Sequence, residues 1–402
     1  MKNTIILFLA AAAAISCTSP MPRGDWSKVP YKALCQLMID CKAEADDAGR
    51  NVNYAIFDYD NTTILQDVEL STMKWQIENF RFNFTPEEVP GLFLSHIPDP
   101  DTILTGAGAA GVTSRMLVAD FASDYAAMMK TAGVSCGNEL TAEQIKKLHS
   151  MDEYLDYRVK VWGLYEGLFF TFGYDRALAT VMALYHKMTY PEVDALIKEG
   201  VRAQIAKKCL KNELWESPDM GEAGKVSYMV PDGLALSREM RRLYKSLPEN
   251  GIDVYVFSAS MEAIVEAMAC DPEFLGLDTA QVFAIRMKRD STDFILQEYQ
   301  QGYIQPYKKG KSNAIREYIA PRYDGRGPVL VGGDSNGDYS MLTSFPDMRV
   351  GLIIDKNQQE SGIGDLRRQA LDAENGGAPS RYVLQRRGDP QPRFRRRAAS
   401  SR

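Results

Sequence analysis

The sequence predicts an α/β protein, a mainly parallel sheet with helices on both faces, opened by one long helical insertion. Three observations lead there. Short apolar runs at 54–57, 253–257, 329–331 and 350–354 have the length and content of buried strands. Segments of helical periodicity separate them, and strands that alternate with helices imply parallel pairing with both faces covered. From about 67 to about 231 helical spacing with many aromatic residues takes over. That block is too long for a loop, so it is expected as an inserted helical domain, with the core split into 30–66 and 232–390.

The chain of 402 residues can bury a sizeable core, and 45% hydrophobic with 25% charged residues is an ordinary globular composition. A formal net charge of -6 offers no broad positive field, so no nucleic-acid partner is expected. In residues 1–16, Lys2 precedes an almost unbroken apolar run from Ile5 to Ile15, too short to span a bilayer, and the segment reads as a signal peptide. The run ends in Ala14-Ile15-Ser16-Cys17, which resembles the lipobox of bacterial lipoproteins. That resemblance implies a lipidated Cys17, an extracytoplasmic location in the periplasm or at a membrane surface, and a membrane surface as partner through the anchor. A plainly cleaved secretory signal is the alternative. Residues 17–29, rich in Pro, Ser and Arg, are expected as a tether, and the basic residues 391–402 as a disordered tail. Cys35, Cys41, Cys136, Cys209 and Cys270 match no metal or redox spacing, and buried inert thiols are the expectation for most of them.

Within the core, Leu34, Leu37, Met38 and Cys41 recur at helical spacing, and Gly49 closes that helix. In the insertion, 115–130, 142–170, 175–187 and 191–208 read as helices. Beyond it, 234–247, 262–268, 311–318 and 339–342 are expected as helices, and 281–287 with 294–299 as a two-stranded excursion.

Four apolar or turn-like stretches end in polar groups. The first is Tyr54-Ala-Ile-Phe-Asp58-Tyr-Asp60-Asn-Thr62, where two carboxylates follow a strand at the end at which open α/β sheets keep their ligands. Two acids forced together repel and lose hydration, so the pair asks for a metal, a shared proton or separate roles; it could also simply start a turn. The second, Val254-Tyr-Val-Phe-Ser258-Ala-Ser260, puts hydroxyls ahead of a helix whose first N–H groups can receive an anion. The third, Tyr307-Lys308-Lys309-Gly310-Lys311, places a cation at a helix start. The fourth, Val329-Leu-Val-Gly332-Gly-Asp334-Ser-Asn-Gly-Asp338, ends a strand in two glycines and two acids.

With these four stretches in this order, the chain resembles the haloacid dehalogenase superfamily of phosphohydrolases. The resemblance implies a Rossmann-like core under an inserted helical cap, and a Mg²⁺-dependent phosphomonoester hydrolase that works through an aspartyl-phosphate. It implies Asp58 as nucleophile and Asp60 as general acid and base, with Ser258 and Lys311 on the phosphoryl oxygens. Asp58, the backbone carbonyl of Asp60, and Asp334 would hold Mg²⁺; Thr62 would brace the loop and Asp338 would orient Lys311 or a metal-bound water. Lys308 and Lys309 are expected to face solvent. In this superfamily an acid at the position of Asp60 goes with phosphatases and phosphomutases.

The insertion stands where the superfamily places a cap over the site. Asp67 and Glu69, with Trp75, Trp162, Tyr165, Glu166, Phe169, Phe170 and Tyr174, offer carboxylates and aromatic rings of the kind that hold a quaternary ammonium, although aromatics at helical spacing commonly belong to a core. The Asp-Tyr-Asp-Asn-Thr stretch and Ser258-Ala-Ser260 are similar to the phosphorylcholine and phosphoserine phosphatase branch, which points to phosphocholine or phosphoethanolamine. A membrane-tethered binding lipoprotein without turnover, and a broad acid phosphatase, are the alternatives. His96, His149 and His186 have no partner spacing and are expected to be structural or exposed.

Overall fold

The computed structural model describes residues 19–387 apart from 107 and 209. The expected signal segment, Cys17 and the basic tail at 391–402 lie outside the described residues. At the centre is a six-stranded parallel sheet of β1 (Asn53–Phe57), β2 (Ile252–Met261), β3 (Val282–Ile285), β4 (Leu330–Gly333), β5 (Val350–Asp355) and β6 (Tyr382–Arg386). Their order is β6-β5-β4-β1-β2-β3. All five residues of β1 are buried, which a central strand covered on both faces requires. Phe57 lies opposite Val256 on one side and Gly332 on the other. Asp58, Ser258 and Asp334 therefore leave the sheet at one edge. Strand order reverses about β1, and that reversal opens the crevice where such sheets bind ligands.

Helix α1 (Lys28–Ala48) buries Leu34, Leu37, Met38 and Cys41, and ends at Gly49 with φ 66°. The left-handed turn there suits glycine. Residues 19–29 are not a free tether: Met21 and Trp26 are buried, and the Ser27 N–H donates to Gln385 Oε1 at 2.8 Å. Apolar side chains inside a polar-looking segment had a place in the core to fill.

The insertion contains α2 (Val68–Glu78), α3 (Ser114–Ala132), α4 (Asp152–Phe172), α5 (Tyr174–Ala183) and α6 (Tyr190–Ala206). The helix expected across 142–170 is two, Ala142–Leu148 and α4, each with its own start. The insertion is also not wholly helical. Lys211–Glu216 pairs antiparallel with Ser227–Asp232, a hairpin hidden in the sequence because most of its first strand is charged or exposed and only Trp215 there is buried. Ile64–Leu65, leaving the core, pairs antiparallel with Ala235–Leu236, returning to it. The two linkers thus form one short ribbon between core and cap. Buried charges in the cap are compensated, as burial demands: Lys160 lies 2.7 Å from both Asp120 and Asp156.

After the cap come α7 (Arg238–Glu249) under β2, α8 (Glu262–Ala269), and α9 (Lys309–Ala314). Val282–Ile285, expected in a separate excursion, is the edge strand of the main sheet, and the excursion is Met287–Arg289 against Ile295–Tyr299. The sequence reading also lacked Ile363–Glu374 and β6 at the far edge.

Candidate active site

Asp58 is the first residue past β1. Its N–H donates to Gly332 O at 3.0 Å, and its carbonyl accepts the Thr63 hydroxyl at 2.7 Å. These bonds fix the loop at both ends, while Asn61 turns it with φ 60°, a conformation asparagine tolerates better than most residues. The side chain of Asp58 is buried and accepts Lys311 Nζ at 2.5 Å; the same ammonium lies 2.7 Å from Asp338. Lys311 reaches this position because α9 starts in a tight turn: a Cβ on Gly310 would stand 2.0 Å from the Gln305 carbonyl. Glycine is required there. Lys308 and Lys309 are exposed, Lys308 over the Tyr307 ring.

Asp338 is held in turn. One of its oxygens accepts the N–H groups of Asp334 at 3.0 Å and Ser335 at 3.1 Å, while the other meets Lys311. Asp334 accepts the Thr62 hydroxyl at 3.1 Å and Lys356 Nζ at 2.8 Å, and its carbonyl accepts the Gln358 amide. Asp58, Asp334 and Asp338 bring ligand oxygens within 4.8 Å of one another. Burial pushes the Asp58 carboxyl well above its ordinary pKa and Asp338 adds to this, against the pull of Lys311. Burial works against the Lys311 ammonium, but Asp338 and Asp58 outweigh it and raise its pKa. Three buried carboxyl groups, Asp58 and Asp338 against Lys311 and Asp334 against Lys356, form an oxygen-rich cradle, the donor chemistry a hard divalent cation takes.

Asp60 faces elsewhere. Its Oδ1 accepts the Val68 N–H at 2.7 Å, and its Oδ2 accepts Ser260 Oγ at 2.7 Å and Ser258 Oγ at 3.3 Å. The carboxylate is thus not among the clustered ligand atoms; any part in metal binding falls to its backbone carbonyl. Burial pushes the Asp60 carboxyl up to about 8, and Asp67 adds to this against the bonds from Val68, Ser260 and Ser258. Desolvation favours the neutral form where no cation is near. Ser258, expected on the phosphoryl oxygens, is buried between Asp60 and the Ser260 N–H, which it accepts at 3.1 Å.

The insertion packs against this side. Asp67 starts α2 by accepting the Leu70 N–H at 2.9 Å, and burial with the Glu69 charge pushes its carboxyl up to about 7. Burial pushes Glu69 up to about 8; it accepts the Met261 N–H at 3.0 Å and the Tyr174 hydroxyl at 3.3 Å. Tyr174 also donates to Ala259 O at 2.5 Å, tying α5 to the end of β2. Of the aromatic residues named from the sequence, Tyr174 and Tyr165 lie among these acids. Trp162 packs against Trp215 and Trp75 against Gly200 in the cap interior, and Phe169 and Phe170 are exposed. His149 bonds the Glu78 carbonyl and stacks on Tyr154, away from the site.

Sequence reasoning passed over Lys356 and Gln358, and over the bond from Ser260 to Asp60. A signal for Lys356 was there: it follows an apolar run that ends in Asp355, the same pattern as the other strand ends.

A solved structure from Anaerococcus prevotii DSM 20548, described as a conserved functionally unknown protein, is similar over 94% of this chain and 98% of its own, with 26% identity and a TM-score of 0.82. The architecture as a whole, sheet and insertion together, is therefore shared. A phosphoserine phosphohydrolase-like protein from Francisella tularensis subsp. tularensis SCHU S4 aligns over 78% of this chain and 92% of its own, at 11% identity and a TM-score of 0.36. A protein of unknown function from Bordetella pertussis Tohama I aligns over 82% and 97%, at 13% and 0.38. Both overlays are too loose to bear on the chemistry. No protein-family model and no curated protein matches the chain.

Proposed function

We propose that this protein hydrolyses phosphate monoesters through a phosphorylated Asp58. The observation that carries this reading is the division of labour within one loop: Asp58 sits against Lys311 in the acidic cradle, and two residues on, Asp60 sits among hydroxyls and an N–H. In the first step an Asp58 oxygen bonds to phosphorus, the ester P–O bond breaks, and the leaving oxygen takes the Asp60 proton. In the second, water gives a proton to Asp60 and displaces Asp58 from phosphorus. Lys311 stabilises charge on the phosphoryl oxygens in both steps, and Ser258 keeps Asp60 and the β2 end in register with them.

Asp58, Asp334 and the backbone carbonyl of Asp60 are the groups that would hold Mg²⁺, with Thr62 and Lys356 orienting Asp334. Bound there, the ion would supply positive charge that offsets repulsion of the phosphoryl group by the acids. On the leaving-group side, Asp67, Glu69, Tyr165 and Tyr174 combine carboxyl and aromatic groups, which favours an amine or quaternary ammonium. Phosphocholine or phosphoethanolamine is the substrate class this supports.

Phosphate release from a panel of monoesters, with Mg²⁺, with chelator and with Asp58→Asn, tests the proposal. Metal-dependent release absent from the variant is expected, with phosphocholine cleaved faster than phosphoserine or a sugar phosphate. Folded, metal-loaded protein that releases nothing overturns the hydrolase, and equal rates on all three overturn the substrate assignment alone.

A further inference from the structure

The net charge of -6 conceals a basic face built from two segments far apart in sequence. Helix α7 buries Met240, Leu243, Tyr244 and Leu247 against the core. Its opposite side carries Arg238, Arg241, Arg242 and Lys245, spaced so that they fall along one line of the helix. Arg238, Arg241 and Lys245 are exposed and Arg242 is half-buried. Arg23, from the segment before α1, lies exposed over the Tyr31 ring and joins Arg242 and Lys245 on an open groove of about 550 Å³. Glu249 is the acidic residue on that groove. Among the described residues, Arg241, Arg242 and Lys245 meet no carboxylate, although paired surface charges are numerous elsewhere on the molecule.

Ser19, the first described residue, lines the same groove. In sequence it stands two residues after Cys17 and four after the apolar run that ends at Ile15. Arg23, Arg242 and Lys245 of the basic face therefore share a groove with the residue from which the chain leads back toward its most apolar segment.

We infer that this face, Arg23 with Arg241, Arg242 and Lys245, is a docking surface for an anionic lipid bilayer, seated beside the N-terminal segment. Unpaired cations next to a membrane-directed segment gain affinity from lipid phosphates, additively and within about a Debye length of ~10 Å. The inference is independent of the chemistry proposed for Asp58.

The test uses residues 18–402 without lipid, which retain every described residue, and sedimentation with vesicles. At low salt the protein should bind vesicles with about one-third phosphatidylglycerol and not pure phosphatidylcholine, and lose most of that binding at ~0.15 M salt. Replacing Arg241, Arg242 and Lys245 together with serine should weaken partitioning by roughly a hundredfold, with the unfolding temperature largely retained because Arg241 and Lys245 are exposed and Arg242 meets no carboxylate among the described residues. Serine at Arg395, Arg396 and Arg397 in the tail is the control for the other basic segment and should leave most of the binding. Unchanged binding of the α7 variant, loss confined to the tail variant, or equal binding to duplex DNA would each overturn the bilayer assignment.

Discussion

Asp58 and Asp60 stand two residues apart on one loop, Asp58 buried and Asp60 half-buried, and their surroundings push them toward different chemistry. Asp58 shares a space with Lys311, Asp334 and Asp338, and Lys311 is the cation there that pulls against burial and the Asp338 charge. Among the described residues no ammonium bonds Asp60; it meets the Val68 N–H and two serine hydroxyls, with the acids Asp67 and Glu69 behind. Burial alone does not set the role of a carboxyl group. Burial raises both pKa values; what differs is that Lys311 pulls against it at Asp58, whereas at Asp60 the neighbouring Asp67 adds to it and only an N–H and two hydroxyls oppose it.

The largest effect expected is at Asp58. Asp58→Asn removes the nucleophile while keeping shape, and kcat for any accepted monoester should fall by at least ~10⁴-fold, with Mg²⁺-dependent thermal shift retained at reduced size; near-normal turnover would break the comparison at its stronger pole. Asp60→Asn should depend on the leaving group. For an alkyl ester, protonation matters and a fall of ~10²–10⁴-fold is expected. A nitrophenyl ester leaves without a proton, so only its second step should slow, and a stopped-flow burst of nitrophenol should appear. Identical losses on both esters would make Asp60 a structural residue.

The pH profile sharpens the contrast further. Asp60 is protonated below about 8 in the free protein, and the first step needs that proton, so kcat/KM should decline as pH rises through that value. Asp67→Asn preserves the cap of α2, since asparagine also caps well, but removes a repelling charge. The declining limb should then move to lower pH. A limb that stays put, or moves up, contradicts the role given to Asp67. The smallest effect is expected at Ser260: Ser260→Ala removes a bond that stabilises the ionised Asp60, so the limb should move up by a fraction of a unit with kcat reduced about two- to fivefold.

The same contrast shows what the sequence could carry. Asp58 and Asp334 are legible because each ends an apolar strand, and parallel strands deliver their ends to one edge whatever the helices do. Lys311 is legible through Gly310, whose lack of a side chain the tight turn demands. The environment of Asp60 is not, because it is assembled by α2 and α5 folding back over β2, contacts that no local pattern encodes. Trp26 in a Pro-rich segment and Trp215 in a charged strand are anchored by tertiary burial for the same reason. The basic face joins residue 23 to residues 238–245 and exists only after folding.

The most direct measurement is to look for phosphate on Asp58. Asp60→Asn protein mixed with a nitrophenyl phosphate and Mg²⁺, then quenched, reduced with borohydride and digested, should yield homoserine at position 58, the reduction product of an aspartyl-phosphate. Modification at that position and at no other is the result this account predicts. Complete nitrophenol release with Asp58 unmodified would contradict it.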